Sequence, residues 1–94
     1  MQIIQAQAMD GVLAMDAVVV VGRRSNQSER LLEKCRARGV RAFQVESAEE
    51  LLPLWFAGCR CVGLTAGTST PRETVAQVEA RLAGIAEVGA RRVG

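Results

Sequence analysis

The chain has 94 residues and a mass of 10.1 kDa, enough for one small domain with a modest core. Apolar residues make up 49% of the sequence and charged residues 23%, which excludes the disordered and fibrous classes. The longest apolar run, Ala17–Val21, is far shorter than the ~20 residues of a membrane span. No secretory signal follows Met1, and three cysteines without framework spacing fit a reducing compartment, so we expect a cytoplasmic protein with no membrane partner.

Basic residues are concentrated in one stretch of the chain. Seven basic residues but only two acidic ones lie between Arg23 and Arg41. Their spacing is typical of a solvated helix face with opposite charges four residues apart, and the alternative is a surface that attracts an anion or nucleic acid. Three aromatic residues provide few stacking platforms for single-stranded nucleic acid, so we expect no nucleic-acid partner. The absence of histidine removes the commonest general base and metal ligand.

Helical and strand patterns alternate along the first half of the chain. Residues 3–14 carry apolar side chains near helical spacing, which predicts a first helix. The β-branched run Ala17–Val21 has no polar alternation and predicts a strand buried on both faces. A second helix follows, with Asn26 and Glu29 at the spacing of a capping box and Gly39 as its C-cap.

The second half of the chain continues this alternation. Residues 40–45 and 61–64 are predicted to form the second and third strands. Between them, a capping box at Ser47 opens a third helix, which Pro53 makes short or kinked. The last helix opens at a capping box formed by Thr70 and Glu73, with a proline at the first helical position.

This order of elements predicts the fold class α/β, as a single domain over residues 1–94. We expect a small three-layer domain in which a parallel sheet is covered by helices on both faces. The natural strand order is 2-1-3. The two crossover connections then lie on opposite faces of the sheet, which creates a topological switch point between the first and third strands. Ligands of open α/β sheets bind beyond the carboxyl ends of the strands at such a point. The first loop (residues 22–28) and the second loop (residues 65–70) should meet there.

Both loops are suited to an anion. They are rich in hydroxyl and amide side chains and lead into helix N-termini, where free N–H groups and the helix dipole favour negative charge. Ser25, Asn26 and Ser69 exceed what capping requires, so we predict them as ligands of a phosphate or diphosphate. The other polar side chains at these helix starts are predicted to cap the helices: Ser28, Thr70 and Glu73. For Ser28 the alternative is a side chain exposed to solvent. No lysine follows the glycines as in a P-loop.

The cysteines do not predict a metal site. Cys35 lies on the apolar stripe of its helix, which favours a place in the core. Cys59 and Cys61 should put two thiols on one side of a strand start, but zinc and iron–sulfur sites need more ligands than this chain offers nearby. Trp55 is predicted to cover the core. We expect no metal bound by this chain.

Several segments together resemble the C-terminal third of the LytB/IspH family, the 4-hydroxy-3-methylbut-2-enyl diphosphate reductases. These are V-V-V-V-G at residues 18–22, S-N-Q-S-E-R-L at residues 25–31, Trp55, and V-G-L-T-A-G-T-S-T-P at residues 62–71. The resemblance extends from about Gln2 to Leu82, and its T-A-G-x-S-T-P segment is specific. It implies an iron–sulfur oxidoreductase of isoprenoid biosynthesis that makes isopentenyl and dimethylallyl diphosphate at the end of the non-mevalonate pathway.

The resemblance also implies roles for individual residues. The family holds the substrate diphosphate with a serine and an asparagine from an S-S-N motif and with the serine of T-A-G-x-S. On this sequence those positions fall on Ser25, Asn26 and Ser69. The first loop is one residue shorter than in the family, so the alternative puts Asn26 and Gln27 at the serine and asparagine positions.

Other parts of the family pattern are missing. The resemblance implies a [4Fe-4S] cluster held by three cysteines, one per domain, in the full-length family. The cysteine of this domain would lie upstream of Met1, and the three cysteines present fall at non-ligand positions. The two N-terminal domains, with their histidines and catalytic glutamate, are absent. We therefore expect no cofactor and no catalytic residue in this chain, and whether it has any enzymatic activity stays open.

Two functions are consistent with these patterns. The leading interpretation is a part of the reductase that keeps some of its diphosphate-binding surface and is inactive alone, with a diphosphate or other small phosphorylated anion as partner. The alternative is a stand-alone anion-binding or interaction module without catalytic activity. A signalling receiver domain is disfavoured because it needs clustered acids at the strand ends, and Asp16 lies at a strand start.

Overall fold

The computed structural model describes residues 2–5, 15–67 and 70–91, except for the side chains of residues 87–91. These residues form four strands, two α-helices and two 3₁₀ turns. In chain order they are β1 (Gln2–Gln5), β2 (Ala17–Val21), α1 (Asn26–Ala37), β3 (Arg41–Val45), the 3₁₀ turns Ala48–Glu50 and Pro53–Phe56, β4 (Cys61–Ala66) and α2 (Arg72–Arg91). No helix in these ranges combines the length and apolar character needed to cross a membrane.

The strands form one parallel sheet in the order β1-β4-β2-β3. The predicted α/β class is confirmed, and the three predicted strands have the mutual order 2-1-3. The complete strand order differs from the prediction because β1 adds a fourth strand beside β4. Ile3 and Ile4, assigned to a helix from their spacing, lie in β1 and pair in register with Val62 and Gly63. The remainder of that predicted helix, residues 6–14, lies outside the described residues.

The core consists of two apolar clusters, one on each face of the sheet. All five residues of β2 are buried, and their side chains alternate between the clusters. Val19 packs with Val78 and Leu82 of α2, whereas Val20 packs with Leu32 and with other residues on the α1 side. The predicted burial of Val19 and Val20 on opposite faces and the helical cover of both faces are therefore confirmed.

The segment between β3 and β4 is not the predicted α-helix. It forms two 3₁₀ turns, and Pro53, which lacks an N–H group, begins the second of them. At the first turn, the Glu50 carboxylate accepts a hydrogen bond of 2.9 Å from Ser47 N. The Trp55 ring stacks on Phe43 with ring centroids 4.4 Å apart and planes inclined by 2°, so Trp55 covers the core as predicted.

The solvent face of α1 carries the basic stretch of the sequence. Its arginines and lysine are exposed, which confirms the predicted solvated helix face. The helix ends with Arg38 at the C-cap, one residue before Gly39, whose φ of 78° is a left-handed value that glycine adopts readily. Arg36 Nη2 donates to the Ala42 carbonyl at 3.2 Å, so this arginine also covers part of the β3 edge.

Asp16 joins the starts of three strands. Its Oδ2 atom accepts hydrogen bonds from Arg60 N at 2.8 Å and Cys61 N at 3.0 Å, and its carbonyl accepts one from Arg41 N at 3.3 Å. The N–H groups of Cys61 and Arg60 lower the pKa of the Asp16 carboxyl, because they stabilise the charged form.

The fold predicts a severe effect of charge within β2. Val20→Asp would bury an unpaired carboxylate, which costs several kcal/mol against a total stability of roughly 5–15 kcal/mol for a domain of this size. We expect the variant to lose its cooperative urea transition, whereas Gln2→Asp, at an exposed strand start, keeps it. A folded Val20→Asp chain with a wild-type transition would show that β2 is not the central buried strand.

The Asp16 hydrogen bonds predict a dependence of stability on pH. Since the pKa is lowered in the folded state, the carboxylate stabilises the fold at neutral pH, and this contribution disappears as pH falls below about 4, the usual aspartate value. Urea unfolding at pH 7 and pH 3 should therefore show a difference between wild type and Asp16→Asn that shrinks at low pH. A difference that stays constant between the two pH values would contradict this role.

Candidate anion-binding site

The two loops meet at the carboxyl ends of β2 and β4. The Val21 carbonyl accepts hydrogen bonds from Gly67 N at 3.4 Å and from Thr70 Oγ1 at 3.1 Å. These bonds join the described part of the second loop, residues 65–67 and 70, to the end of the central strand. β4 continues to Ala66, two residues further than predicted, so the second loop leaves the sheet level with Val21.

Gly22 allows this close approach. Its φ of 128° is one that side-chain-bearing residues rarely adopt, and a Cβ atom at this position would lie 2.6 Å from Thr70 Oγ1. Gly22 N donates to the Val45 carbonyl at 2.9 Å, so the backbone remains attached to β3 as it leaves β2. A larger residue would push the two loops apart.

The first turn of α1 is capped one residue earlier than predicted. Ser25 is the N-cap: its Oγ accepts from Ser28 N at 3.2 Å, and Ser25 N donates to Ser28 Oγ at 2.8 Å. The predicted box of Asn26 and Glu29 is therefore wrong. Ser28 has the capping role proposed for it and not the solvated alternative, because it is only 8% exposed.

Gln44 on β3 braces the first loop, and the sequence reasoning did not find it. Its Oε1 accepts from Ser28 Oγ at 3.1 Å, and its Nε2 donates to the Gly22 carbonyl at 3.0 Å. The one available signal is an amide at a strand position that shares its face with Ala42 of the α1-side cluster.

The start of α2 also differs from the prediction. The helix begins at Arg72, and its first turn includes a hydrogen bond of 3.3 Å from Val75 N to the Pro71 carbonyl. Pro71 thus precedes the helix, and the Thr70 hydroxyl donates to the Val21 carbonyl. Thr70 joins the second loop to the end of β2, which is a different role from the predicted cap.

A groove of about 370 Å³ lies between the loops. The predicted ligand Ser25 lines it, and so does Gln27, whereas Asn26 does not. Ser69, the third predicted ligand, lies outside the described residues. The other residues of the two loops that line the groove are Gly22, Arg23, Arg24, Ser28, Thr65, Ala66, Gly67 and Thr70.

The charges around the groove are arranged unequally. Arg23 and Arg24 are exposed and line it directly. Glu46 and Glu50 line a neighbouring cavity on the β3 side, together with the same two arginines. Glu46 also lines a third cavity with Arg23 and Thr70, so carboxylates border the second loop as well. Among the described residues, the lining of the groove itself includes both arginines and the first turn of α1 but no acidic side chain, which suits a small anion.

The cysteines of this chain do not fit an iron–sulfur cluster. Cluster ligands are thiolates, and burial raises the thiol pKa of Cys35 and of Cys59. Cys59 Sγ accepts from Arg41 Nη1 at 3.7 Å, whereas Cys61 Sγ lies 4.0 Å from Gln2 Oε1, so the two thiols expected on one side have different neighbours. No cluster of three or more histidine, cysteine or acidic residues suited to a metal occurs among the described residues.

Sequence comparisons relate this chain to characterised proteins. A family model described as LytB protein matches residues 4–83. The 4-hydroxy-3-methylbut-2-enyl diphosphate reductase of Anaeromyxobacter sp. (strain Fw109-5) is 44% identical over 86 residues, which cover 90% of this chain and 30% of the relative. The enzyme of the same name from Anaeromyxobacter sp. (strain K) is 48% identical over 79 residues, with coverages of 83% and 28%.

Solved structures agree with these relatives. A structure of (E)-4-hydroxy-3-methyl-but-2-enyl diphosphate reductase, described as the terminal enzyme of the non-mevalonate pathway, superimposes with a TM-score of 0.70 at 31% identity over 81% of this chain. The reductase from Plasmodium falciparum gives a TM-score of 0.68 at 20% identity, which shows the shared fold. The chain spans less than a third of the length of these relatives. It belongs to the LytB protein family, and it is similar to part of 4-hydroxy-3-methylbut-2-enyl diphosphate reductases.

Proposed function

We propose that the groove binds the diphosphate group of a ligand such as 4-hydroxy-3-methylbut-2-enyl diphosphate, and that the chain alone does not reduce it. The observation that carries this proposal is the pair of hydrogen bonds to the Val21 carbonyl, which hold the two loops side by side next to the N-terminus of α1. The relatives are named for a diphosphate substrate, which supports the same ligand class.

The donors of the groove come from the start of α1. Ser28 N is occupied by Ser25 Oγ, and Glu29 N by the Ser25 carbonyl at 2.9 Å. The N–H groups of Asn26 and Gln27 precede these in the first turn, where a helix offers no internal acceptors. Of the two residues only Gln27 lines the groove, so we assign its N–H group and its side chain to the anion.

The identity of the amide ligand depends on how the shorter first loop aligns with the family motif. Gln27 lines the groove and Asn26 does not, which favours the alternative with Gln27 at the asparagine position. Ser25 contributes from its place at the N-cap, although its hydroxyl also caps the helix. Ser69 keeps its proposed role because it is the serine of the T-A-G-x-S segment.

The groove also has an apolar wall, formed by Val20, Leu31 and Ala66. A five-carbon chain attached to the diphosphate could lie against it, whereas inorganic pyrophosphate could not use it. This wall favours an isoprenoid diphosphate over the alternative of a general anion-binding module. The dispersed thiols support the absence of catalysis, because nothing in the described residues brings them together as electron-transfer ligands.

The first test of the proposal is a titration of the 94-residue chain with pyrophosphate, followed by amide chemical shifts. Each neutral hydrogen bond contributes roughly 0.5–1.5 kcal/mol, and immobilising the ligand offsets much of the total, so we expect a Kd on the order of millimolar. The shifts should be confined to residues 22–28 and 65–72. Ser69→Ala and Gln27→Ala should weaken binding severalfold, whereas Gln77→Ala, on the exposed face of α2, should not.

Two comparisons make this titration decisive. 4-Hydroxy-3-methylbut-2-enyl diphosphate should bind more tightly than pyrophosphate, and equal affinities would favour the general anion-binding module. Shifts spread along residues 30–41 would indicate nonspecific attraction to the basic face of α1, and the groove would have to be abandoned as the binding site.

The second test concerns the cofactor. Because the three thiols have separate surroundings and two of them have a raised pKa, anaerobic reconstitution with iron and sulfide should leave the chain without the broad visible absorbance of a cluster. A full-length relative treated in parallel serves as the positive control. Stoichiometric iron and a defined EPR signal after reduction of this chain would overturn the expectation.

A further inference from the structure

Gln44 lies outside the proposed ligand set but contacts both ends of the first loop. One end is Gly22, whose carbonyl accepts from Gln44 Nε2 at 3.0 Å. The other end is Ser28, whose hydroxyl lies 3.1 Å from Gln44 Oε1. A single half-buried side chain on β3 therefore contacts both ends of residues 22–28. This segment contains the two arginines that line the groove and the start of α1.

The geometry determines the orientation of this amide. If its oxygen and nitrogen were exchanged, the oxygen would face the Gly22 carbonyl, and two acceptors would oppose each other. The observed orientation lets Nε2 donate to the Gly22 carbonyl, while Oε1 is one of two acceptors near the Ser28 hydroxyl, the other being the Ser25 carbonyl at 2.9 Å. Ser28 Oγ in turn accepts from Ser25 N at 2.8 Å, so the amide is linked to the N-cap through one buried hydroxyl.

The hold on the Gly22 carbonyl has an electrostatic consequence. In the order β4-β2-β3, Gln44 draws this carbonyl towards β3, whereas the second loop and the groove lie on the β4 side. A carbonyl oxygen released from Gln44 could turn towards the groove, where its negative end would repel an anion. The same release would loosen the N-cap, because Ser28 would lose one of its partners.

We propose that Gln44 is a positioning residue for the groove: it fixes the first loop at both ends and keeps the Gly22 carbonyl directed away from a bound anion. This inference rests on the proposed function and deepens it. Gln44 touches no ligand in this scheme and acts through Gly22 and Ser28.

The experiment compares four variants of the 94-residue chain. Gln44→Met keeps the length and neutrality of the side chain but removes both hydrogen bonds, and Gln77→Met is the matched exposed control. Ser28→Ala removes one of the two bonds from the opposite side and serves if Gln44→Met does not fold. The double variant, which combines Ser28→Ala with Gln44→Met, tests whether Ser28 and Gln44 act through the same hydrogen-bond network. Each variant is measured by pyrophosphate titration, amide hydrogen exchange and urea unfolding.

We expect Gln44→Met to bind pyrophosphate roughly ten-fold more weakly, because the anion would have to order a first loop that is no longer held in place. Its amide exchange should accelerate in residues 22–28 and stay close to wild type in β2 and β4. Gln77→Met should match wild type in every measurement. The double variant should bind within about two-fold of Ser28→Ala, since coupled residues are not additive.

Three outcomes would overturn the inference. If the wild-type chain binds pyrophosphate and Gln44→Met binds it with the same affinity, the groove does not need the hydrogen bonds of Gln44. Exchange accelerated equally throughout the sheet would make Gln44 a general stabilising residue. Absence of pyrophosphate binding by wild type would instead refute the proposed function, and faster exchange in residues 22–28 would then identify Gln44 as a brace of the loop with no part in binding.

Discussion

The structure depends on the burial of β2 from both faces and both edges. Its five apolar residues are between 0% and 6% exposed, and its neighbours in the sheet are β3 and β4. Because β-branched side chains point alternately to α1 and α2, the strand orders both apolar clusters at once. The place where β2 ends is therefore fixed by packing throughout the domain. The groove lies at this strand end, so its location is determined by the core and not by the polar residues that line it.

The end of β2 is built so that acceptors are occupied and donors remain. The Val21 carbonyl takes two hydrogen bonds from the second loop, and the Gly22 carbonyl takes one from Gln44. Buried carbonyls need such partners regardless of function. Here the partners also occupy carbonyl oxygens close to the start of α1, where the helix dipole favours negative charge. The positive end of α1 thus lies near two backbone oxygens, those of Val21 and Gly22, that already have hydrogen-bond partners.

Local patterns were sufficient for most of the sheet but not for its edges or its braces. β2 and α1 could be predicted because a β-branched run and a capped apolar stripe are encoded within a few residues. β1 was missed because two adjacent isoleucines in a four-residue strand have no period of their own, and pairing with β4 decides their conformation. The start of α1 was misplaced because Ser25 and Asn26 are both good caps, and the contact between Ser28 and Gln44 makes the choice. Such long-range hydrogen bonds leave little trace in the local pattern beyond an amide on a buried face of a strand.

Two features of this LytB-family chain have different physical requirements: a groove between two loops, and a set of cysteine ligands for a cluster. The determinants of the groove are braced from within: Thr70 joins one loop to β2, and Gln44 joins the other to β3. A cluster of the kind implied by the family resemblance needs several thiolates that converge on one site, and the thiols here are either buried in a helix face or engaged with Arg41 and Gln2. The hydrogen bonds of the described residues therefore organise the two loops, whereas the three thiols do not converge on one site. Substitutions in the apolar clusters that pack on β2 would then change the shape of the groove by moving the two loops that form it.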